Sequence, residues 1–304
     1  MTGGTQEFHP ACSKKFFGSE TPPILDITSE QMQELAKDIV LRSVTVTGVQ
    51  PKLSLSIDKI PNVPKKSRFT IVGLWGHYIL KPATPQFSSL PENEDLTMHL
   101  SDFFGIPTAN HSLIRLKSGE LAYITKRFDR IGDEKLALED MCQLTETLTS
   151  DKYHSSMEKI GKEITNYSDQ PGLDVIHFFE LSLFCYLTGN ADMHLKNFSL
   201  LTDTDNKIIF SPAYDLLCTK IAMPDDKEEM ALTVNGRKNK IKRSDFDTLG
   251  KNLNIPDKTI LNTYSRFAER LKEVNEWIDI SFLPGRMKKA YTEVIHTTAT
   301  KMGL

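Results

Sequence analysis

Apolar and polar residues alternate with a period of two over much of the first 130 residues, then shift to helical spacing. Residues 1–24 carry Gly, Pro and Ser without a clear period and read as an irregular lead-in. Ser29 can cap a short helix from Glu30 to about Val40, with Met32, Leu35, Ala36 and Val40 on one face. Arg42–Thr47 alternates, and Leu53–Ile57 alternates again with Leu53, Leu55 and Ile57 inward. Between them runs the turn Thr47 to Lys52. A third strand, Gly76 to Leu80, ends at Lys81 and is stopped by Pro82. A helix opens at Pro91, with Leu96, Leu100, Phe103 and Phe104 as its stripe, and Gly105 then Pro107 close it. Strands at His111–Leu116 and Leu121–Phe128 flank the turn Lys117 to Glu120.

After residue 134 the chain turns mostly helical. Residues 151–172 are polar and unpatterned. The run Val175 to Leu187 reads as a buried helix that Gly189 or Asn190 ends. Phe198–Thr202 and Lys207–Ser211, joined by Asp203 to Asn206, form a small hairpin. Ala231–Val234 followed by Asn235-Gly236 is a second hairpin signal. Ser244 with Asp247 stands in capping-box position, and helices are expected near 245–252, 257–278 and 285–301. Tyr264, Phe267, Leu271, Val274 and Trp277 at helical spacing are core. The pattern predicts an α+β fold of two lobes: lead-in 1–41, a strand-rich lobe 42–130 and a helical lobe 131–304.

Composition narrows the class. The chain has 304 residues, a formal charge of -3 and a pI near 6.3, so nothing in its overall charge calls for nucleic acid. Cys12, Cys142, Cys185 and Cys218 lie far apart and read as reduced thiols. No signal peptide and no apolar run of about 18 residues is present, which predicts a soluble, cytoplasmic protein without membrane contact. The run Arg237 to Arg243 holds five basic residues, a pattern more often a solvated face than a DNA contact.

The densest chemistry lies at 189–215. Asp192 and Asn197 are five residues apart, and Asp215 follows the hairpin. Protein kinases place a base and a magnesium ligand at this separation, with a later Asp on the metal. Magnesium takes hard oxygen donors, and the Asn197 amide with the Asp215 carboxylate supplies them. Asp192 would take the proton of a substrate hydroxyl. Lys81 closing the third strand and Glu94 in the first turn of the next helix could pair and hold phosphate. The turn at Thr47 to Lys52 has one glycine, too few for a phosphate-loop signature, and by itself reads as a hairpin turn.

Together, Thr47 to Lys52, Tyr78 to Pro82, Glu92 to Glu94, Arg127 to Arg130, Glu139 to Gln143, Gly189 to Asn197, Tyr214 to Leu216 and Ser281 to Leu283 resemble the HipA-like serine/threonine kinases. These are toxins of bacterial toxin–antitoxin systems. The resemblance runs from about residue 42 to residue 295 and implies a bilobal protein-kinase-like fold that uses ATP and Mg2+. It places ATP contacts on Thr47, Gly48, Val49, Gln50, Lys52, Lys81, Glu94, Lys126, Arg127, Phe128, His194, Asn197, Tyr214 and Asp215. The catalytic base falls on Asp192, with Lys196 beside it, and the metal on Asn197 and Asp215. Targets in the family include aminoacyl-tRNA synthetases, whose phosphorylation stops translation and growth. With only about 40 residues before the nucleotide loop, the chain resembles the short HipT form. That form implies two bacterial partners, a small separate antitoxin and a helix-turn-helix protein that carries most of the DNA contact.

Two positions depart from the family. Its loop autophosphorylates on serine, whereas Thr45 and Thr47 stand here, with Ser54 and Ser56 just beyond; self-modification is expected within 43–56. Position 126 is Lys where relatives often carry Glu. A kinase-like small-molecule phosphotransferase and a catalytically silent binding module in a DNA complex are the competing readings.

Overall fold

A computed structural model describes residues 7–32, 34–35, 52–60, 66–72, 75–87 and 89–304. The expected strand Arg42–Thr47 and the loop positions Thr45, Thr47, Gly48, Val49 and Gln50 lie outside these residues, as does most of the helix expected after Ser29. The chain divides into two compact units, Met1–Asp95 with Ala109–Phe128, and Leu96–Thr108 with Asp129–Leu304.

The first unit is built on a five-stranded antiparallel sheet of order β2-β1-β3-β5-β4. Its strands are β1 Leu53–Lys59, β2 Ser67–Val72, β3 Tyr78–Pro82, β4 His111–Arg115 and β5 Leu121–Lys126. Leu53 and Leu55 point inward as the alternation predicts, at 1% and 0% exposure. Strand β2 was not foreseen. Arg68, Phe69, Thr70 and Ile71 do alternate polar and apolar, but over only four residues, and the strand is fixed by pairing with β1, Ser54 against Val72 through Lys59 against Ser67. Lys81 nevertheless lies on the third described strand, which extends through Pro82 rather than stopping before it.

The lead-in is not irregular. Pro10–Phe17 is a helix, opened by Pro10 and closed by Gly18 in the left-handed region at φ 79°. Phe16 packs edge-on and Phe17 tilted against Tyr78, and the Tyr78 hydroxyl donates to the Phe16 carbonyl at 3.1 Å. Eight residues are too few to show a convincing period. The helix exists because its two aromatic rings close one face of the sheet.

The second unit forms around the helix Pro171–Leu187, which is buried on nearly all sides from Val175 onward. Asp174 in its first turn accepts from the Phe210 N–H at 2.8 Å and so pins the start of the helix to a small sheet. That sheet has three strands, order β10-β9-β8: β8 Leu138–Asp140, β9 Ser199–Thr202 and β10 Ile208–Phe210. The hairpin was expected; β8 joins it from a segment with no strand pattern. A two-stranded ribbon, β6 Arg130–Ile131 with β7 Glu134–Lys135, turns at Gly132.

Within the stretch read as unpatterned, Met157–Tyr167 is a helix capped by Ser156, with Met157, Ile160 and Ile164 buried. Its apolar stripe is only one residue wide, so polar neighbours mask it in sequence. The single helix expected over 257–278 is two, Asp257–Leu271 and Val274–Ile280. At the break, Lys272 and Glu273 donate to carbonyls three residues back. Asn235-Gly236 is a tight turn with both residues at positive φ, but its flanks make one bridge, Val234 with Arg237, instead of strands. The cap of Arg243–Asn252 sits two residues earlier than expected. Asp245 accepts from the Lys242 N–H at 2.9 Å, while Asp247 holds the Tyr264 hydroxyl at 3.0 Å. The helix Gly285–Met302 completes the unit. Among the described residues, no helix is long and apolar enough to cross a membrane.

Candidate active site

The segment after Leu187 is tied down residue by residue. Gly189 takes φ +65°, and a Cβ there would meet Val294 Cγ1 at 2.8 Å and Lys220 Cγ at 2.9 Å. The Thr219 hydroxyl donates to the Gly189 carbonyl and accepts from the Ala191 N–H, both at 2.9 Å. Asn190 accepts from the Asp192 N–H at 3.1 Å. The Asp192 carbonyl in turn accepts the Asn197 side-chain N–H at 3.1 Å and the His194 N–H at 2.8 Å. Met193, Leu195 and Phe198 are fully buried, so the polar side chains between them are set by an apolar anchor on either side. Asn197 uses its amide nitrogen on Asp192, and the amide oxygen is the atom it can offer a cation.

The Asp192 carboxylate accepts a 2.5 Å hydrogen bond from the Tyr153 hydroxyl. Tyr153 was not singled out in the sequence, since it lies in the polar stretch 151–172 and carries no motif. Its ring meets His194 edge to face at 5.0 Å. Burial holds the Tyr153 phenol above its ordinary pKa, and Asp192, Asp215 and Asp226 push it the same way. His194 is buried, and its Nδ1 has no hydrogen-bond partner among the described residues. Burial lowers its pKa, and Lys152 adds to this, while Asp192 and Asp215 oppose it. The charges of Asp192 and Asp215, 23 residues apart in the chain, both act on these two rings.

Lys196 donates to Asp140 at 2.8 Å. Asp140 uses its other carboxylate oxygen to cap Met141–Leu144 in a capping box with Gln143. Tyr214 donates to the Lys196 carbonyl at 3.0 Å and lies 2.6 Å from the Ser199 hydroxyl, so its phenol braces the loop before β9 against that strand. Asp215 follows at φ +60°, a left-handed conformation that redirects the chain just after the hairpin.

In the first unit, Lys81 Nζ donates to Glu94 Oε1 at 2.6 Å, and the Lys81 ammonium stands 5.5 Å from the Tyr123 ring centre. The Lys126 and Arg127 N–H groups donate within the unit, to Asn110 and His77 carbonyls at 2.8 Å, and so are not available to a nucleotide base. Lys52 and Lys126 are exposed, and Phe128 is half-buried. Ser54 and Ser56 lie in β1; the Ser54 hydroxyl accepts from the Gly76 N–H at 3.1 Å, and that of Ser56 lies 3.4 Å from His77 Nδ1.

The basic run is mostly a solvated face, with Arg237, Lys240 and Lys242 exposed, and three of its members have partners within the chain. Arg237 pairs with Asp245, Lys238 with Glu228, and Arg243 stacks 4.0 Å over the Tyr264 ring. A cleft of about 580 Å³ opens beside Gly189, lined among others by Tyr186, Gly189, Lys220, Glu229, Arg286 and Val294. Asp192, Asn197 and Asp215 are not part of its wall.

A family model described as the HipA-like C-terminal domain matches residues 44–277. The protein named "Putative kinase Y4dM" of Sinorhizobium fredii is 28% identical over 300 residues, covering 94% of this chain and 70% of the relative. The serine/threonine-protein kinase toxin HipA of Shewanella oneidensis is 26% identical over 255 residues, 76% of this chain and 56% of its own length. Among solved structures, Shewanella oneidensis HipA in complex with HipB and operator DNA superposes with a TM-score of 0.71 at 21% identity, covering 92% of this chain and 72% of that one. The Helicobacter pylori kinase CtkA superposes with a TM-score of 0.54 at 18% identity, covering 74% of this chain and 87% of that one. These likenesses show a kinase-like fold, and the match over residues 44–277 makes the chain a member of the HipA-like C-terminal domain family.

Proposed function

We propose that the protein is a toxin of a toxin–antitoxin system that transfers phosphate from ATP to serine or threonine of a host protein. One observation carries the reading. Asp192 is held in a closed loop whose other end, Asn197, spends its amide nitrogen on the Asp192 carbonyl and keeps its amide oxygen as the group to offer a cation. Asp192 acts as the general base on the substrate hydroxyl. Asn197 and Asp215 are hard oxygen donors suited to Mg2+, which when bound neutralises charge on the phosphates. Lys81, steadied by Glu94, supplies a fixed positive charge for the phosphates, and Lys196 a second one anchored on Asp140. His194, kept neutral by burial, and Tyr214 shape the floor of the site.

The family resemblance extends this reading to an aminoacyl-tRNA synthetase as target and to growth arrest as outcome. The Shewanella protein is solved with HipB and DNA, which supports an antitoxin partner here. A second small antitoxin follows from the resemblance to the short form. The acidic partners Asp245 and Glu228 beside Arg237 and Lys238 offset part of this run's charge, which supports DNA contact mainly through the partner protein. Self-phosphorylation at Thr45, Thr47, Ser54 or Ser56 would add about -1.5 to -2 charges beside the nucleotide loop and lower activity.

The test is transfer of labelled phosphate from Mg-ATP to proteins of a bacterial lysate, beside Asp192→Ala. A discrete labelled host protein, absent with the variant, is the expected result. Labelling of a small molecule alone would replace the protein-kinase reading with the phosphotransferase one. ATP binding without transfer to any acceptor would leave a binding module.

A further inference from the structure

Tyr153 sits on a segment fastened to the catalytic loop. The Lys152 carbonyl accepts from the Leu195 N–H at 3.2 Å, and the Ser155 carbonyl accepts from Thr233 at 3.3 Å. The phenol ring is held edge-on by His194 at 5.0 Å and has the Lys152 ammonium 5.1 Å from its centre. With the backbone tied on both sides and the ring packed, the hydroxyl has one place to be, 2.5 Å from Asp192 Oδ1. A donor–acceptor distance this short, from an O–H to a carboxylate, is a charge-assisted bond, roughly twice as strong as a neutral one.

We infer that Tyr153 is the positioning residue of the catalytic carboxylate: by binding Oδ1 it stops the carboxylate from rotating and reserves Oδ2 for the substrate hydroxyl. The inference rests on the kinase reading above. In the transfer, the substrate oxygen forms the new bond to the γ-phosphorus of ATP, the bond from that phosphorus to ADP breaks, and the hydroxyl proton passes to Oδ2. A carboxylate torsion is soft, with broad wells, so the loop's backbone bonds alone leave the base atom free to swing. Tyr153 remains a donor throughout, because burial first, and then the charges of Asp192, Asp215 and Asp226, disfavour loss of its proton, with Lys152 and His194 also against the ring. The side chain acts through Asp192 and supplies no proton to the reaction.

Tyr153→Phe removes the hydroxyl and keeps the ring contacts. The expected result is a roughly 10- to 100-fold fall in kcat, the scale of a misplaced catalytic group. KM for ATP and the thermal unfolding midpoint should stay near wild type. The double variant Tyr153→Phe, Asp192→Asn should be no slower than Asp192→Asn alone, since the hydroxyl acts only through that carboxylate. Wild-type kcat in Tyr153→Phe, or a faster reaction, overturns the inference while the kinase reading stands. So does a fall in kcat matched by lost ATP affinity and a lowered midpoint, which marks plain packing. A wild-type protein that labels nothing removes the kinase reading first and the inference with it.

Discussion

Lys81 Nζ lies 2.6 Å from Glu94 Oε1, and the two side chains are only 10% and 1% exposed. Bringing both charges out of water costs several kcal/mol per ion and is recovered only while they stay together. Lys81→Met should therefore destabilise the protein by about 3–5 kcal/mol, because a buried carboxylate loses its nearest countercharge. Lys81→Met with Glu94→Gln should recover a large part of that loss. A double-mutant cycle in denaturant measures the coupling; additive single effects would show that the pair does not depend on itself.

Gly189→Ala should cost about 1–2 kcal/mol for the left-handed backbone alone. The contacts of an added Cβ with Val294 and Lys220 raise the cost further. Because Gly189 is bonded to Thr219, and Thr219 to Ala191, the variant should lose phosphate transfer at temperatures where it is still folded. Calorimetry beside a transfer assay checks both parts.

Asp140→Ala and Lys196→Ala break the same ion pair but should not be equal. Lys196 is 38% exposed in this pair, so its loss should cost no more than about 1 kcal/mol. Asp140 also caps Met141–Leu144, and removing it should cost about 0.5–2 kcal/mol in addition. Urea midpoints of the two variants decide it, and equal shifts would contradict the capping role.

His194 makes the fold sensitive to acid. Its pKa in the folded protein lies below the ordinary 6.5, mainly through burial, so below about pH 6.5 the unfolded chain binds this proton more readily. The stabilisation is fully present above that value and is lost as pH falls through the folded pKa. Unfolding midpoints compared at about pH 7.5 and about pH 5 should drop for wild type and drop less for His194→Gln. Equal drops would show that His194 is not the source of the acid sensitivity.

Asp192 and Asn197 were legible in sequence because their relation is local: five residues, folded by hydrogen bonds that span two to five positions. The long helix Pro171–Leu187, the stop at Gly105 and the turn at Asn235-Gly236 were legible for the same reason, since apolar spacing and glycine conformations act over a few residues. The pairing of Lys81 with Glu94 was readable only through the order of strand and helix, and its burial was not.

What tertiary structure alone decided has partners far apart in the chain. Tyr153 reaches Asp192 across 39 positions, and Lys196 reaches Asp140 across 56. Strand β8 is a strand because β9 pairs with it, and Pro10–Phe17 is a helix because Phe16 and Phe17 have a sheet to cover. Sequence by itself determined the local frame of the 189–197 loop and the polar groups it carries. Which side chains hold those groups in place depended on chain closure, since a single polar residue has no period, and its hydrogen-bond partner is set only when the packed elements bring two distant segments within 3 Å.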